Sequence, residues 1–433
     1  MPHGNNAHSP RQFLERGAVS DKNAGLHSWQ RNFHAVWPSL FATAMGLMSF
    51  LPVLPLYVRE QFGIADPDEA LFWASLVYGA APFTAAILGP FWGALGDRLG
   101  KKPMAIRANL AIALTTAAMP FAPTPFVLLL MRALQGGLAG YVAPAMALGS
   151  QDTPIDAHGR VIAKLQVAMA TGSFLGPFVG AEVTHWFGRT SLFWLASLLS
   201  ACSALQLHLF AREELAAAAD RGTFLGDFKR SAAGLLRQRV FAWLLVLVVV
   251  MRLGQNMLDP LLSLFVHELG PATWIASFSE THELALDRTT ALPFMMLGIA
   301  QWPCTPWWGR QADRHGPLRC LAALSLGLCV LLAATSFVET IDQFLLLRVP
   351  VVCLMAGSMT LAYAAASKRV DAGNRTLAFA MIQSCIQLGL AVGPVCGARV
   401  PGGLRPAFLV AAALCGAAGA GMLVLRRLPV EPA

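Results

Sequence analysis

The sequence predicts an all-α membrane protein in which twelve transmembrane helices form two pseudo-symmetric six-helix bundles. Three observations predict it. Of 433 residues, 56% are hydrophobic and 13% charged, with a mean hydropathy of +0.55. Soluble domains carry roughly 25% charge, so this surface must face lipid. Twelve apolar runs approach the ~20 residues that cross about 30 Å of hydrocarbon. Finally, Gly93-Ala-Leu-Gly-Asp97-Arg98-Leu-Gly100 and Gly309-Arg-Gln-Ala-Asp313-Arg314-His-Gly316 begin 216 residues apart. Their lead-ins repeat as well, Pro90-Phe-Trp-Gly93 answering Pro306-Trp-Trp-Gly309, and near the same offset Arg132 answers Arg348 and Gly176-Pro177 answers Gly393-Pro394. One offset of half the chain, held across several segments, means two copies of a unit rather than a short-period solenoid.

In chain order, residues 1–34 are polar, hold Arg11, Arg16, Lys22 and Arg31, lack a secretory signal pattern and read as a mobile cytoplasmic tail. The first six spans fall near 35–58, 70–92, 104–122, 125–148, 161–183 and 190–210. A charged connection over 211–239 separates the halves, and its Thr223 to Leu236 portion is expected to lie as an amphipathic helix on the inner surface. The second six spans fall near 240–266, 289–308, 318–338, 343–366, 376–398 and 404–425, followed by a short tail over 426–433. Gly and Pro within spans are compatible with a bundle, where neighbouring helices satisfy freed backbone groups.

The outer loops hold only Arg59, Arg189, Arg288, Arg399 and Arg405 of the 32 Lys and Arg residues, which places both termini in the cytoplasm. The net charge of +8 is therefore a topology signal, and no nucleic-acid motif accompanies it. The acidic outer loop of 268–288 reads as solvated, with metal capture by His282 the weaker alternative. The eight cysteines fall in or at the ends of spans without a Cys-x-x-Cys pair and read as small buried hydrophobes. The absence of a phosphate-binding loop, zinc signature or nucleophile elbow argues against an enzyme, a metal or a cofactor.

Ionisable groups in hydrocarbon cost several kcal/mol, about 2.5–3.5 on insertion scales, and so turn toward an interior. Arg252, Gln255, Asn256 and Asp259 at i, i+3, i+4 and i+7 make one polar stripe on span 7, predicted to line a central cavity. Asp259 is the candidate proton-coupling group, and Arg348 on span 10 lies at a depth that permits an ion pair with it; a purely structural pair is the competing reading. Aligning Pro52 with Pro260 puts Leu51 where span 7 has Asp259, so Arg132 on span 4 has no equivalent acidic partner. It is either free for an anionic or carbonyl-rich substrate or bonded to nearby helix carbonyls and polar side chains. Gln383 and Gln387, i and i+4 on span 11, add cavity hydrogen-bonding candidates.

Asp97 and Asp313, beside Arg98 and Arg314 at span ends, read as paired latches that close the cytoplasmic side, with a solvated turn as the alternative. Gly93, Gly100 and Lys101 belong to the same gate. Gly172, Gly176 and Gly180 recur at every fourth position, a small face that lets another helix approach closely, with Pro177 beside it.

The run Gly93-x-Leu95-x-Asp97-Arg98-x-Gly100-Lys101-Lys102 resembles the loop signature between helices 2 and 3 of the major facilitator superfamily. Arg132-Ala-Leu-Gln135-Gly136-Gly137-Leu-Ala-Gly140 resembles its helix 4 signature. Gly172-Ser-Phe-Leu-Gly176-Pro177-Phe-Val-Gly180 is similar to the helix 5 signature of its drug/proton antiporters, except that Ala181 replaces a closing Gly. In the second loop copy Pro317-Leu318 stands where the first has Lys101-Lys102. The resemblance implies two bundles rocking about a central site and a proton-coupled, monomeric inner-membrane exporter of small organic molecules, of the multidrug type. Export of a hydrophilic metabolite such as a siderophore is the alternative within transport. A non-transporting substrate sensor is the alternative outside it.

Overall fold

The computed structural model describes residues 11–213, 234–370 and 375–427, and these are helical with short connections. Ten helices are long and apolar enough to cross a membrane, and an eleventh span is the bent pair Trp29–Phe50 and Leu54–Gln61, which turns by 49°. The remaining span is His282–His315, 34 residues interrupted by Pro293, Pro303 and Pro306, which lowers its apolar character without breaking the helix. Large side chains such as Leu114, Leu198, Val330 and Leu346 stand exposed around the bundle. An apolar exterior of this kind is what lipid, not water, accepts.

The helices that carry spans 1 to 6 run Arg11–Gln61, Pro67–Leu99, Lys101–Ala118, Pro125–Gly149, Ile155–Phe187 and Ser191–Phe210. The helices that carry spans 7 to 12 run Arg239–Leu269, His282–His315, Pro317–Thr335, Ile341–Ser367, Arg375–Ala398 and Leu404–Leu425. Two differences from the sequence reading appear. The first helix starts at Arg11, so the described part of the polar segment before residue 35 is helical rather than a loose tail. Its Leu, Glu, Ala, Lys and Gln residues are good helix formers, and propagation from a formed span has no nucleation cost. Most of the predicted amphipathic helix at Thr223–Leu236 lies outside the described residues. The eight cysteines are free, and the expectation that they are buried holds fully only for Cys320 and Cys415: Cys304, Cys329, Cys353 and Cys385 are partly buried, and Cys202 and Cys396 are exposed.

Helix association in lipid has little hydrophobic drive and depends on close packing of small residues. Any Cβ on Gly172, Gly176 or Gly180 would come within 3.0 Å of the backbone carbonyls of Phe41, Met45 and Ser49, so span 5 lies directly on span 1. The second half repeats this. Gly389, Gly393 and Gly397 of span 11 meet Arg252, Leu253 and Met257 of span 7 within the same limit. The repeat also extends to single contacts. Trp92 Nε1 donates to the Gly137 carbonyl at 2.6 Å and Trp308 Nε1 to the Cys353 carbonyl at 3.0 Å, each position displaced by 216. Gly100 at φ +96° and Gly316 at φ +86° end spans 2 and 8 in the left-handed region that only glycine adopts without strain.

Candidate functional site

Of the spans that hold predicted cavity residues, 4, 7 and 10 are interrupted, as is span 1, whereas span 11 with Gln383 and Gln387 runs unbroken. Span 1 breaks between Phe50 and Leu54, span 4 between Leu138 and Val142, span 7 between Asn256 and Asp259, and span 10 between Met355 and Ser358. The local causes are legible: Pro52 lies in the first break and Pro55 follows it, Gly140 with φ +97° occupies the second, and Pro260 follows the third. Discontinuous helices at membrane depth are tolerated where the freed backbone lines a cavity or is packed in protein.

In the second half the predicted stripe is a connected network. Arg252 Nη1 donates to Gln255 Oε1 at 2.9 Å and to Ser358 Oγ at 3.4 Å, and Asn256 Nδ2 donates back to the Arg252 carbonyl at 2.7 Å. Asp259 opens the second helical segment of span 7, where the positive helix end favours a carboxylate. Tyr78 of span 2 donates to Asp259 Oδ2 at 3.4 Å, so the carboxylate is touched from the other half of the molecule. Arg348 and Arg252 are the cations whose charges reach Asp259. The Asp259–Arg348 ion pair is not closed: among the described residues no contact within 4.0 Å joins them, and the buried Arg348 Nε has no hydrogen-bond partner. Arg252 Nε and Gln255 Nε2 are likewise buried donors without an acceptor. Gln383 is exposed and accepts from Tyr363 Oη at 2.5 Å, and Gln387 one turn on is partly buried.

The first half is arranged differently. Arg132 is 4% exposed, its Nη1 donates to Gln135 Oε1 and its Nε to the Val77 carbonyl at 3.3 Å, and the guanidinium lies 5.4 Å over the Phe50 ring. Gln135 in turn donates to Thr116 Oγ1 at 2.6 Å. Arg132 thus bonds one helix carbonyl and one polar side chain, contacts of the kind the second of the two sequence readings names.

The side that carries the chain termini and the opposite, far side also differ. On the far side Arg288 Nε donates to Glu182 Oε1 at 2.6 Å across the two halves, Arg189 approaches Asp287 at 3.8 Å and bonds Glu60, and Arg399 stacks 3.9 Å over Phe72. Asp287 and Arg288 stand in the polar first turns of the span 8 helix, ahead of its apolar stretch. Burial pushes the Asp287 carboxyl above its usual range, with Arg189 opposing the shift, while the Glu182 hydrogen bond pushes the Arg288 guanidinium up. The outer acidic loop is therefore in part a clasp between halves instead of solvated chain. Nearer mid-depth Gly79 lies against Ala391, Gly298 against Phe174, and Ser384 Oγ donates to the Ala86 carbonyl at 3.2 Å. On the side of the termini, by contrast, no ion pair joins the halves among the described residues.

The predicted gate lies on that side. Asp313 and Arg314 are exposed at the end of span 8, and the side chains of Gly93, Asp97 and Arg98 lie outside the described ones. Lys101 opens span 3, and its backbone N–H, with that of Lys102, donates to the two carboxylate oxygens of Glu213 at 2.7 Å each. Glu213 follows span 6 and no motif marks it. Tyr78, Thr116, Ser358 and Tyr363 also escape sequence reading, because lone neutral polar residues carry no periodic signal within apolar spans, and Glu182 escapes it as a single charge near the end of span 5. Gly389 and Gly397 could have been found by laying the Gly172–Gly180 spacing onto Gly393.

Two six-helix bundles whose broken spans face one another across an arginine-rich interior define a membrane transporter rather than an enzyme. The chain belongs to the Major Facilitator Superfamily, whose family model matches residues 36–280 and 271–433. It is 30% identical over 392 residues to the multidrug resistance protein MdtG of Rahnella sp. (strain Y9602), covering 89% of this chain and 91% of that one. It is 31% identical over 392 residues to MdtG of Enterobacter lignolyticus (strain SCF1), covering 89% and 90%. Among solved structures, the nucleoside transporter NupG superposes with a TM-score of 0.76 over 91% of this chain and 99% of its own, at 13% identity, which reflects a shared fold.

Proposed function

We propose that this chain is a proton-coupled secondary transporter that exports small organic molecules, of the multidrug efflux kind borne in the names of its relatives. It acts as a monomer in the inner membrane with both termini in the cytoplasm, an orientation supported by the Lys and Arg asymmetry. The observation that carries coupling is Asp259: a carboxylate within a span, touched by Tyr78 of the opposite half and sharing its surroundings with Arg252 and Arg348. A proton on Asp259 removes the charge that both arginines feel, and substrate arrival alters the balance between them. The halves are clasped on the far side, the arrangement of an inward-facing state. The exposed Asp313 then belongs to a gate that engages when the termini side closes.

Export of an acceptor-rich or anionic metabolite is the second reading. It is favoured by the buried donors of Arg252, Gln255 and Arg348 that have no acceptor. An acceptor-bearing ligand would relieve the cost of leaving them unpaired. Counterflow in proteoliposomes tests both. Exchange of labelled lipophilic cations supports the multidrug reading, and exchange confined to anions or hydroxamates supports the second. Tight binding without any exchange overturns transport in favour of a sensor.

A further inference from the structure

At the end of span 9 nearest the termini, a cavity of about 200 Å³ lies among His315, Leu318, Arg319, Lys368, Arg369 and Arg426, and none of its lining residues is acidic. Arg369 Nε is buried there without a hydrogen-bond partner. The repeat shows what this place normally holds. In the first half, the corresponding start of span 3 is occupied by a carboxylate, Glu213, which takes the N–H groups of Lys101 and Lys102, while Lys102 Nζ donates to the carbonyls of His208 and Ala211 at 3.0 and 2.7 Å. At the offset of 216, Leu318 answers Lys102, but Glu213 is answered by Pro429, which has no carboxylate. The surroundings change sign with it: Lys368 and Arg369 stand where the first half has Asp152 and Thr153. One half thus fills its anion position with its own side chain, and the other presents the same position with added positive charge and no anion at the matching residue.

We propose that this basic cavity binds a phosphate-bearing anion at the membrane surface. A phosphate offers three acceptor oxygens to a guanidinium fork, an ammonium and first-turn backbone donors that lack intrahelical partners. The volume is below the ~300–1,000 Å³ of pockets for drug-sized ligands, so it admits a headgroup or a free phosphate and excludes a nucleotide. The site lies apart from the central arginines, so its occupancy is separable from substrate binding.

The test is binding to the full-length protein in neutral detergent, followed by native mass spectrometry and thermal unfolding with dihexanoyl phosphatidic acid in one arm and inorganic phosphate in the other. Stabilisation by the lipid alone assigns a headgroup, and stabilisation by both assigns the phosphate itself. Lys368→Gln with Arg369→Gln should weaken the bound probe by about ten-fold or more, as expected for lost charge-assisted contacts. Arg319→Gln with Arg426→Gln serves as an independent pair should the first fail to fold. No stabilisation by either probe, or equal stabilisation of wild type and both variants, overturns the proposal. So does binding that emerges only after residues 428–433 are removed, which would give the cavity to the chain's own tail.

Discussion

The two halves share a backbone plan and divide the chemistry unequally. Both press a glycine face of one span onto the broken span beside it, and both tie a motif tryptophan to a carbonyl 45 residues on. Yet where span 1 has Leu51, span 7 has Asp259, and where Arg132 is held by Gln135 and Val77, Arg348 keeps a buried donor without a partner. Duplication therefore conserves the geometry that packing requires, while Asp259 and the unpaired donors of Arg252, Gln255 and Arg348 belong to the second half alone.

The largest effect should come from breaking that asymmetry at its centre. Asp259→Asn is expected to reduce proton-driven transport in proteoliposomes to the level of protein-free vesicles, whereas Leu51→Asn, at the answering position, should leave coupling in place. Normal substrate-induced proton release from the Asp259 variant would assign coupling elsewhere. The packing symmetry predicts equal damage on both sides: Gly180→Leu and Gly397→Leu should each cost about 3 kcal/mol of stability, because each must displace helix backbone instead of a flexible side chain. Thermal unfolding of the two variants in the same detergent compares them directly, and a large difference would refute the equivalence.

The paired arginines sharpen the contrast further. Arg132→Gln removes a buried, bonded guanidinium and leaves Gln135 and the Val77 carbonyl short of a donor, for a loss of about 1–3 kcal/mol in stability. Arg348→Gln should change stability less and lower substrate affinity more, read by calorimetric titration. The smallest effect concerns the far-side clasp. Asp287, facing Arg189, Glu283, Glu60 and His185, has a raised pKa in the closed form and would return to the ordinary range once exposed. The closed form then binds protons more tightly, so acid favours closure and closure weakens as pH rises through the raised value. Distance distributions across the far side should show this trend, and Asp287→Asn should flatten it.

Much of this was legible in the residues themselves. Span positions followed from apolar length, the repeat from one offset, and the polar stripe of span 7 from its i, i+3, i+4, i+7 spacing, because each is a periodic property of the chain. The partners were not. Tyr78 meets Asp259 from 181 residues away, and Glu213 caps span 3 from beyond span 6. Such pairings depend on how helices lie side by side, and a lone tyrosine or loop glutamate carries no periodic mark. Arg132 shows a subtler limit: its lack of an acidic counterpart could be read, but the glutamine one turn along that satisfies it could not be distinguished from a solvated one.

The meeting of Gly79 with Ala391 and of Gly298 with Phe174 has a mechanical consequence. These points resemble a bearing: main chain rests against main chain, and at Gly79 and Gly298 no long side chain must unlock from its rotamer well before one half pivots on the other. Motion about such a contact has little friction of its own. The tempo of switching would then be set by the far-side clasp, by the gate proposed on the side of the termini and by the occupant between them. A variant that roughens the bearing with a bulky residue would slow every cargo equally, whereas one that alters a clasp would retune the resting preference.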